Sequence, residues 1–193
     1  MDTAVARWPA ARRVALLADT HGALAPDLVD GLTGADLVVH AGDVGAAAVL
    51  DILGTIAPTL AVLGNNDTPA KWRASEHARL AALPAALAVE LAGGLLVVVH
   101  GHQWPRADVR HDRLRAGWPA ARLVVYGHSH RRTCDVHGLP WVVNPGAAGR
   151  ARAHGGAGWL GLTISPRGWY LAENRFAREA HIPSRSRSTR GPC

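Results

Sequence analysis

The chain has 193 residues, of which 48% are hydrophobic, and a formal net charge of +6 at pH 7. This composition excludes an intrinsically disordered chain, and the length suits a single domain. The two cysteines, Cys134 and Cys193, exclude a disulfide framework or a zinc site built on cysteines and favour a reducing compartment. No stretch of the sequence has the length and hydropathy of a transmembrane helix, so we expect a cytoplasmic protein that does not enter a membrane.

We predict three segments: an N-terminal extension at residues 1–11, a folded domain at residues 12–176, and a disordered tail at residues 177–193. The tail is rich in Ser and Arg and poor in apolar residues. Part of the positive charge lies there. The charge admits nucleic acid as a partner without requiring it, and we favour a solvated tail.

The first half of the chain alternates strands and helices. Residues 12–19, 35–43 and 58–67 contain short apolar runs of the buried-strand type, and residues 21–34 and 44–56 have helical spacing of apolar positions. This β-α-β-α-β order predicts a parallel sheet with right-handed crossovers.

The second half predicts antiparallel hairpins. Residues 86–102 form two apolar runs around a Gly-Gly turn, and two later hairpins turn at 137–138 and 166–168. A helix at 104–119 and a buried strand at 121–130 lie between them. We therefore expect an α/β sandwich whose first half is parallel and whose second half is rich in antiparallel hairpins.

Polar clusters follow five of the predicted buried strands directly. We expect all five to emerge at the same edge of one sheet, which is the edge where α/β sheets bind ligands. The clusters are "ADTHG" with Asp19 and His21, "HAGDVG" with Asp43, "LGNND" with Asn65, Asn66 and Asp67, "VVHGHQ" with His100 and His102, and "YGHSH" with His128 and His130.

Each cluster alone has a structural explanation as a helix cap, a turn or a surface loop. Together they can supply a set of about seven ligands, made up of two carboxylates, one amide oxygen and four imidazoles. This set suits Mn, Fe or Zn and is too rich in nitrogen for a Ca²⁺ or Mg²⁺ site. The ligands exceed what one ion needs, whereas two ions that share a carboxylate would use them all.

In this order the motifs resemble those of the calcineurin-like metallophosphoesterases, most closely the small YfcE-like phosphodiesterase branch. The resemblance runs from about Val14 to Tyr170 and includes "NPGAAG" at residues 144–149. It implies a four-layer α/β/β/α sandwich of two mixed sheets flanked by helices. It also implies two divalent metal ions, with Mn²⁺ expected first and Ni²⁺, Fe, Zn²⁺ or Mg²⁺ as alternatives. One ion would be held by Asp19, His21 and His130 and the other by Asn65, His100 and His128, with Asp43 bridging them.

The activity implied by the resemblance is hydrolysis of a P–O ester bond, most often in a phosphodiester, by a water or hydroxide that bridges the metals. Many members of the superfamily carry a His that protonates the leaving oxygen at the position of Asn66, and an amide cannot do this. We therefore expect substrates with good leaving groups, or a proton from His102. Asp67 is expected to orient a neighbouring group. A structural or surface role for His102 is the alternative.

Other functions stay open. The same site could serve a phosphomonoesterase or a nucleotide hydrolase, and the retromer subunit that resembles this family acts as a non-catalytic interaction scaffold. We favour an enzyme because scaffold relatives lose metal ligands, whereas every ligand position is filled here. The expected partner is a small phosphorylated substrate, and a homodimer or homotetramer is open.

Overall fold

The computed structural model describes residues 3–149 and 153–175. The predicted tail at 177–193 lies outside these residues. No helix within the described ranges has the length and apolar character needed to cross a membrane. The described strands are β1 (Ala4–Arg7), β2 (Arg13–Leu17), β3 (Leu37–His40), β4 (Thr59–Ala61), β5 (Ala86–Leu91), β6 (Gly94–Val99), β7 (Leu123–Val125), β8 (Thr133–Asp135), β9 (Trp141–Asn144), β10 (Gly158–Ser165) and β11 (Gly168–Arg175). The described helices are α1 (Pro26–Gly31), α2 (Ala47–Ile56), α3 (His77–Ala81), which follows a short 3₁₀ turn, and α4 (Ala107–Gly117).

The strands form two mixed sheets. One has the order β11-β10-β2-β3-β4 and the other β1-β5-β6-β7-β9-β8. Strands β2, β3 and β4 are parallel, as the alternating first half predicted. The three predicted hairpins are also present, as the antiparallel pairs β5–β6, β8–β9 and β10–β11.

Alternation along the strands builds the layers. In β2, Val14 and Leu16 point into an apolar layer shared by both sheets, whereas Ala15 and Leu17 pack against α1 and α2. Leu53 of α2 is fully buried in the outer layer, and burial of a leucine side chain contributes about 1.5–3 kcal/mol. The first helical layer therefore covers the outer face of the β2 sheet.

Helix α4 covers the outer face of the other sheet. Its Leu114 is fully buried against Val97, Val99 and Val124, which alternate with residues of the inner layer. Together with α1 and α2 on the opposite side, this gives the α/β/β/α arrangement of two mixed sheets flanked by helices.

Two expectations differ from the structure. The five strands that precede the polar clusters do not share one sheet, because β2, β3 and β4 belong to one sheet and β6 and β7 to the other. Helix α1 covers Pro26–Gly31 and not 21–34, since His21 and Gly22 adopt left-handed backbone that interrupts a helix. Separately, residues 4–7 of the predicted N-terminal extension form β1, an edge strand parallel to β5.

A half-buried polar network supports the end of β7. Tyr126 directly follows that strand, and its hydroxyl lies 3.0 Å from His111 Nε2. The other ring nitrogen of His111 lies 2.8 Å from Asp135, which also accepts a bond from Arg115 at 2.7 Å. The hydrogen bond from Arg115 has the largest lowering effect on the pKa of Asp135, followed by that from His111. Together they hold the pKa of Asp135 at about 2, below its usual 3.8. This network joins α4 to β7 and β8, on either side of the "GHSH" loop.

We expect Asp135→Asn to lower the free energy of unfolding by about 1–2 kcal/mol at neutral pH, as charge-assisted hydrogen bonds are lost. Because the pKa of Asp135 is depressed in the folded state, its contribution is present above the unfolded value of 3.8 and disappears as the pH falls towards 2. Urea denaturation of both proteins at neutral pH and at acid pH measures this. Asp30→Asn, on the exposed side of α1 and outside this network, is the control. A difference that persists undiminished at the lower pH would contradict the assignment.

Candidate metal centre

The polar clusters meet where the carboxyl ends of strands from the two sheets face each other. Asp19, Asp43 and Asn65 follow β2, β3 and β4, while His100 and His128 follow β6 and β7. Backbone bonds align the first two loops, because Asp19 N–H donates to Gly42 O at 3.0 Å and His21 N–H donates to Asp43 O at 2.9 Å. The cleft between the sheets, and not the edge of one sheet, therefore collects the side chains.

The ligand loops are conformationally strained. Five non-glycine residues of the described chain have a positive φ, between 48° and 67°. Such a backbone is sparsely populated for residues with a Cβ, and strain of this kind concentrates at functional sites. All five are predicted metal ligands: Asp19, His21, Asp43, His128 and His130.

Two glycines let the loops approach one another. A Cβ on Gly64 would collide with the carboxylate and backbone nitrogen of Asp43. A Cβ on Gly42 would lie 2.8 Å from His100 Nδ1. The glycines that precede Asp43 and Asn65 in "AGD" and "GNND" therefore provide room for the neighbouring ligand side chains.

Four side chains form the first ligand group. One ligand atom from each of Asp19, His21, Asp43 and His130 lies within 4.8 Å of all the others. His21 Nε2 and His130 Nε2 are 3.0 Å apart, and His130 Nε2 is 3.6 Å from Asp19 Oδ1. This compact O/N set fits a divalent cation of the Mn, Fe or Zn type.

The other three predicted ligands form a second group beside the first. Asn65 Oδ1 lies 3.1 Å from His100 Nε2 and 3.0 Å from His128 Nδ1. Asp43 Oδ2 lies 3.4 Å from His100 Nε2 and 3.7 Å from His21 Nε2. The Asp43 carboxylate thus lies between the two groups, in contact range of both.

The electrostatics couple Asp43 to His100. Burial alone raises the pKa of Asp43, but the bond and charge of His100 and the bonds from Asn66 outweigh it and hold that pKa well below its usual range. Burial lowers the pKa of His100, yet the Asp43 carboxylate raises it overall. His100 Nδ1–H donates to Ala41 O at 2.8 Å, which directs Nε2 towards the cluster. A divalent cation would compete with the proton shared by this pair.

Asn66 and Lys71 form a chain of polar contacts to Asp43. Asn66 donates to both oxygens of that carboxylate, at 2.8 Å from its backbone nitrogen and 2.7 Å from its side-chain nitrogen. Its own side-chain oxygen accepts a hydrogen bond from the ammonium group of Lys71. Sequence analysis did not select Lys71, although it is the only lysine in an arginine-rich chain and follows "GNND" by four residues.

Asp67 connects the loops after β3 and β4. Its carboxylate accepts hydrogen bonds from the backbone nitrogens of Val44, Gly45 and Gly64 at 2.8–3.1 Å. It also accepts the indole N–H of Trp72 at 3.1 Å. The side chain therefore acts on the shape of the ligand loops.

His102 lies at the edge of the second group. Its ring centroid is 5.5 Å from that of His100 and 6.3 Å from that of His128. Burial, followed by the charge of His100, lowers the pKa of His102. Its Nδ1 is buried and has no hydrogen-bond partner among the described residues.

Two buried side chains that were not predicted as site residues hold the loops on the second sheet. Arg110 donates to Trp104 O at 2.7 Å and to Pro105 O at 3.0 Å, which anchors the loop after His102. Asn144 donates to Gly127 O at 2.6 Å and so fixes the start of the "GHSH" loop. In the sequence, Arg110 follows the Trp104-Pro105 pair by five residues, and Asn144 is the first residue of "NPGAAG". These positions were the available signals for the two roles.

Comparison with known proteins agrees with this architecture. The profile of the calcineurin-like phosphoesterase superfamily domain matches residues 13–165. A probable metallophosphoesterase of Methanothermobacter thermautotrophicus is 27% identical over 139 residues, which cover 69% of this chain and 76% of that protein.

Two solved structures share the fold. A single mutant of Vps29 from Entamoeba histolytica has a TM-score of 0.65 at 18% identity and covers 85% of this chain and 99% of that one. A novel archaeal phosphodiesterase has a TM-score of 0.59 at 20% identity and covers 83% of this chain and 99% of that one. With a family profile that spans most of the chain, including all five polar clusters, the protein belongs to the calcineurin-like phosphoesterase superfamily.

Proposed function

We propose that the protein is a phosphodiesterase that uses two divalent metal ions. Asp19, His21 and His130 would hold one ion, and Asn65, His100 and His128 the other, with Asp43 shared. The observation that carries this proposal is the position of the Asp43 carboxylate, within 3.4 Å of His100 Nε2 and 3.7 Å of His21 Nε2. A carboxylate that lies between two groups of imidazole and oxygen donors is the arrangement expected at a paired-metal site.

Bound metals of this kind supply Lewis acidity towards a phosphoryl oxygen and make water more acidic. Mn²⁺ is our first candidate, since a mixed set of imidazole and oxygen ligands suits it, and Ni²⁺, Fe and Zn²⁺ follow. The protein residues keep the ligand atoms in place through the strained loops, so the site needs little rearrangement to bind a cation.

The surrounding charges favour an anionic ester. Only two carboxylates, Asp19 and Asp43, contribute negative charge to the ligand set. The Lys71 ammonium group lies close by through Asn66, and it has two further N–H donors after its bond to that amide. We propose that Lys71 binds a non-bridging phosphoryl oxygen, while Asn66 orients the Asp43 carboxylate.

A diester with a good leaving group fits this set of residues. Asn66 cannot transfer a proton, and its backbone N–H and one of its side-chain N–H groups donate to Asp43. His102 is the remaining candidate proton donor near the second ligand group, with a pKa that burial and His100 lower. A lowered pKa disfavours the protonated ring, so an ester whose leaving oxygen needs no proton should be cleaved most easily. Similarity in fold to an archaeal phosphodiesterase also supports diester hydrolysis.

The diesterase activity should depend on a bound divalent metal. Protein stripped of metal and reloaded with Mn²⁺ should hydrolyse bis-p-nitrophenyl phosphate faster than p-nitrophenyl phosphate, and Asp43→Ala should lower the diesterase rate by at least about 10³-fold, since both ligand groups lose a shared carboxylate. Release of p-nitrophenolate measures the rates, and metal analysis of the loaded proteins measures the number of ions per chain. Ni²⁺, Zn²⁺ and Mg²⁺ are tested in parallel.

Asp30→Ala, which removes an exposed carboxylate of α1, is the matched control and should retain the wild-type rate. Faster hydrolysis of the monoester would favour the phosphomonoesterase alternative. If two ions bind per chain and no substrate is turned over with any metal, the interaction-scaffold alternative is favoured instead.

Two roles of Lys71 can be distinguished: direct binding of the substrate, and positioning of Asp43 through Asn66. Lys71→Met should raise KM for the diester about tenfold, because a charge-assisted hydrogen bond to the substrate is lost. Lys71→Arg should recover most of this loss, since it restores the charge. A fall in kcat with an unchanged KM in Lys71→Met would instead indicate that the lysine acts only through Asn66 and Asp43.

If His102 donates a proton to the leaving oxygen, its loss should matter most for a poor leaving group. In a methyl aryl phosphodiester, His102→Ala should slow cleavage of the P–O bond to the methoxy group by about 10²-fold or more. Cleavage of the P–O bond to a p-nitrophenyl group should slow by less than about tenfold. Product ratios by ³¹P NMR distinguish the two cleavages. His154→Ala, at an exposed histidine, is the control. Equal losses at both leaving groups would show that His102 does not donate the proton.

A further inference from the structure

We propose that a second site, at the opposite end of the sandwich from the metal ligands, binds a small molecule with adjacent phosphate groups. The site is a cavity of about 400 Å³, a volume typical of small-molecule sites. Three arginines line it: Arg12, Arg122 and Arg167. Its position makes it a separate site from the one that would carry out hydrolysis.

Strand direction places the arginines far from the metal ligands. Arg12 and Arg122 precede β2 and β7, whereas Asp19 and His128 follow the same strands. Gly93, also in the cavity wall, precedes β6. His100, the predicted ligand after β6, is seven positions from Gly93, which corresponds to roughly 20 Å at the rise of an extended strand. One bound molecule of ordinary size therefore cannot occupy both sites.

Arg122 is held in position before any ligand binds. Its guanidinium carbon lies 5.0 Å from the centroid of the Trp169 ring, and its Nη1 donates to Gly93 O at 2.9 Å. The Trp169 indole N–H in turn donates to Ala92 O at 2.8 Å. Stacking and a backbone bond reduce the conformational entropy that the arginine would lose on binding an anion.

Two glycine turns lie beside the Arg122 guanidinium. A Cβ on Gly93 would lie 3.5 Å from Arg122 Nη1, and a Cβ on Gly168 would lie 3.6 Å from Arg122 Nη2. Both glycines have a positive φ, at 81° and 137°. A longer side chain at either position would therefore pack directly against the guanidinium nitrogens.

The three positive charges are not neutralised by the cavity wall. No carboxylate belongs to the residues that line the cavity. Asp36, which is not part of the cavity wall, interacts with Arg12: its Oδ2 accepts hydrogen bonds from the backbone nitrogens of Arg12 and Arg13, both at 2.8 Å. The arginine–carboxylate ion pairs among the described residues involve other arginines: Arg7, Arg79, Arg106, Arg115 and Arg132.

Adjacent phosphate groups match this arrangement. The planar fork of a guanidinium binds two phosphate oxygens at once, and such bonds are shorter and stronger than neutral hydrogen bonds. Arg12 Nη1 is occupied by the carbonyls of Pro9 and Ala11 at 3.0 and 3.2 Å, which fixes its direction. Three guanidinium groups around one cavity require a ligand with several negative charges, which a pyrophosphate group provides.

Calorimetric titration of the full-length, metal-loaded protein with pyrophosphate tests the proposal. We expect saturable binding that Arg122→Met and Arg167→Met each weaken about tenfold, the effect of losing one charge-assisted hydrogen bond. Arg113→Met, at an exposed arginine of α4, removes the same charge and should leave the affinity within about twofold of wild type. Arg167 is exposed and its side chain has no partner among the described residues, so its substitution leaves the fold intact.

The indole N–H resonance of Trp169, assigned with Trp169→Phe, gives a local readout. Pyrophosphate should shift it in the wild type and in Arg113→Met but not in Arg122→Met, while diesterase activity is the same in all three. ATP in place of pyrophosphate distinguishes a nucleotide from a free polyphosphate, and tighter binding of either supports the site. Equal affinities of Arg122→Met, Arg167→Met and Arg113→Met for pyrophosphate, or an unshifted Trp169 resonance at saturation, would overturn the proposal.

Discussion

The candidate metal centre depends on the close approach of the loops around Asp43. Asn66 donates to both carboxylate oxygens, and glycines at 42 and 64 leave room for the carboxylate and for His100. Five ligand residues adopt left-handed backbone to reach the centre, which costs about 1–3 kcal/mol for each residue. The apolar layer between the sheets holds the strands on which these loops stand and so compensates for that strain.

Strand direction explains why the two ends of the sandwich differ chemically. Strands β2, β3 and β4 are parallel, as are β6 and β7, so their carboxyl ends supply the ligand loops. The amino ends of β2, β6 and β7 carry the arginines and glycine turns. The predicted metal ligands are therefore gathered at one end of the sandwich, and the cavity lined by Arg12, Arg122 and Arg167 lies at the other.

The polar residues around the ligands have divided tasks. Asp67 receives three backbone bonds and an indole bond and so shapes the loops, whereas Asn66 directs Asp43 and contacts Lys71. An amide at this position cannot exchange a proton, but it links a cation to the shared carboxylate. Asn66 therefore lacks the proton-transfer capacity of a histidine and instead connects Lys71 to Asp43.

The sequence by itself determined the strand order of the first half, the three hairpins and the five polar clusters, because alternation and glycine turns are local properties of the chain. It also placed Asp19 and His128 directly after buried strands. Only the tertiary structure decided that these strands lie in two sheets, that β1 joins the second sheet, and that Lys71 and Arg110 reach the loops. Sheet pairing and contacts between distant segments depend on packing of the whole core, and no local pattern encodes the distance from Lys71 to Asn66 or the cavity shared by Arg12, Arg122 and Arg167.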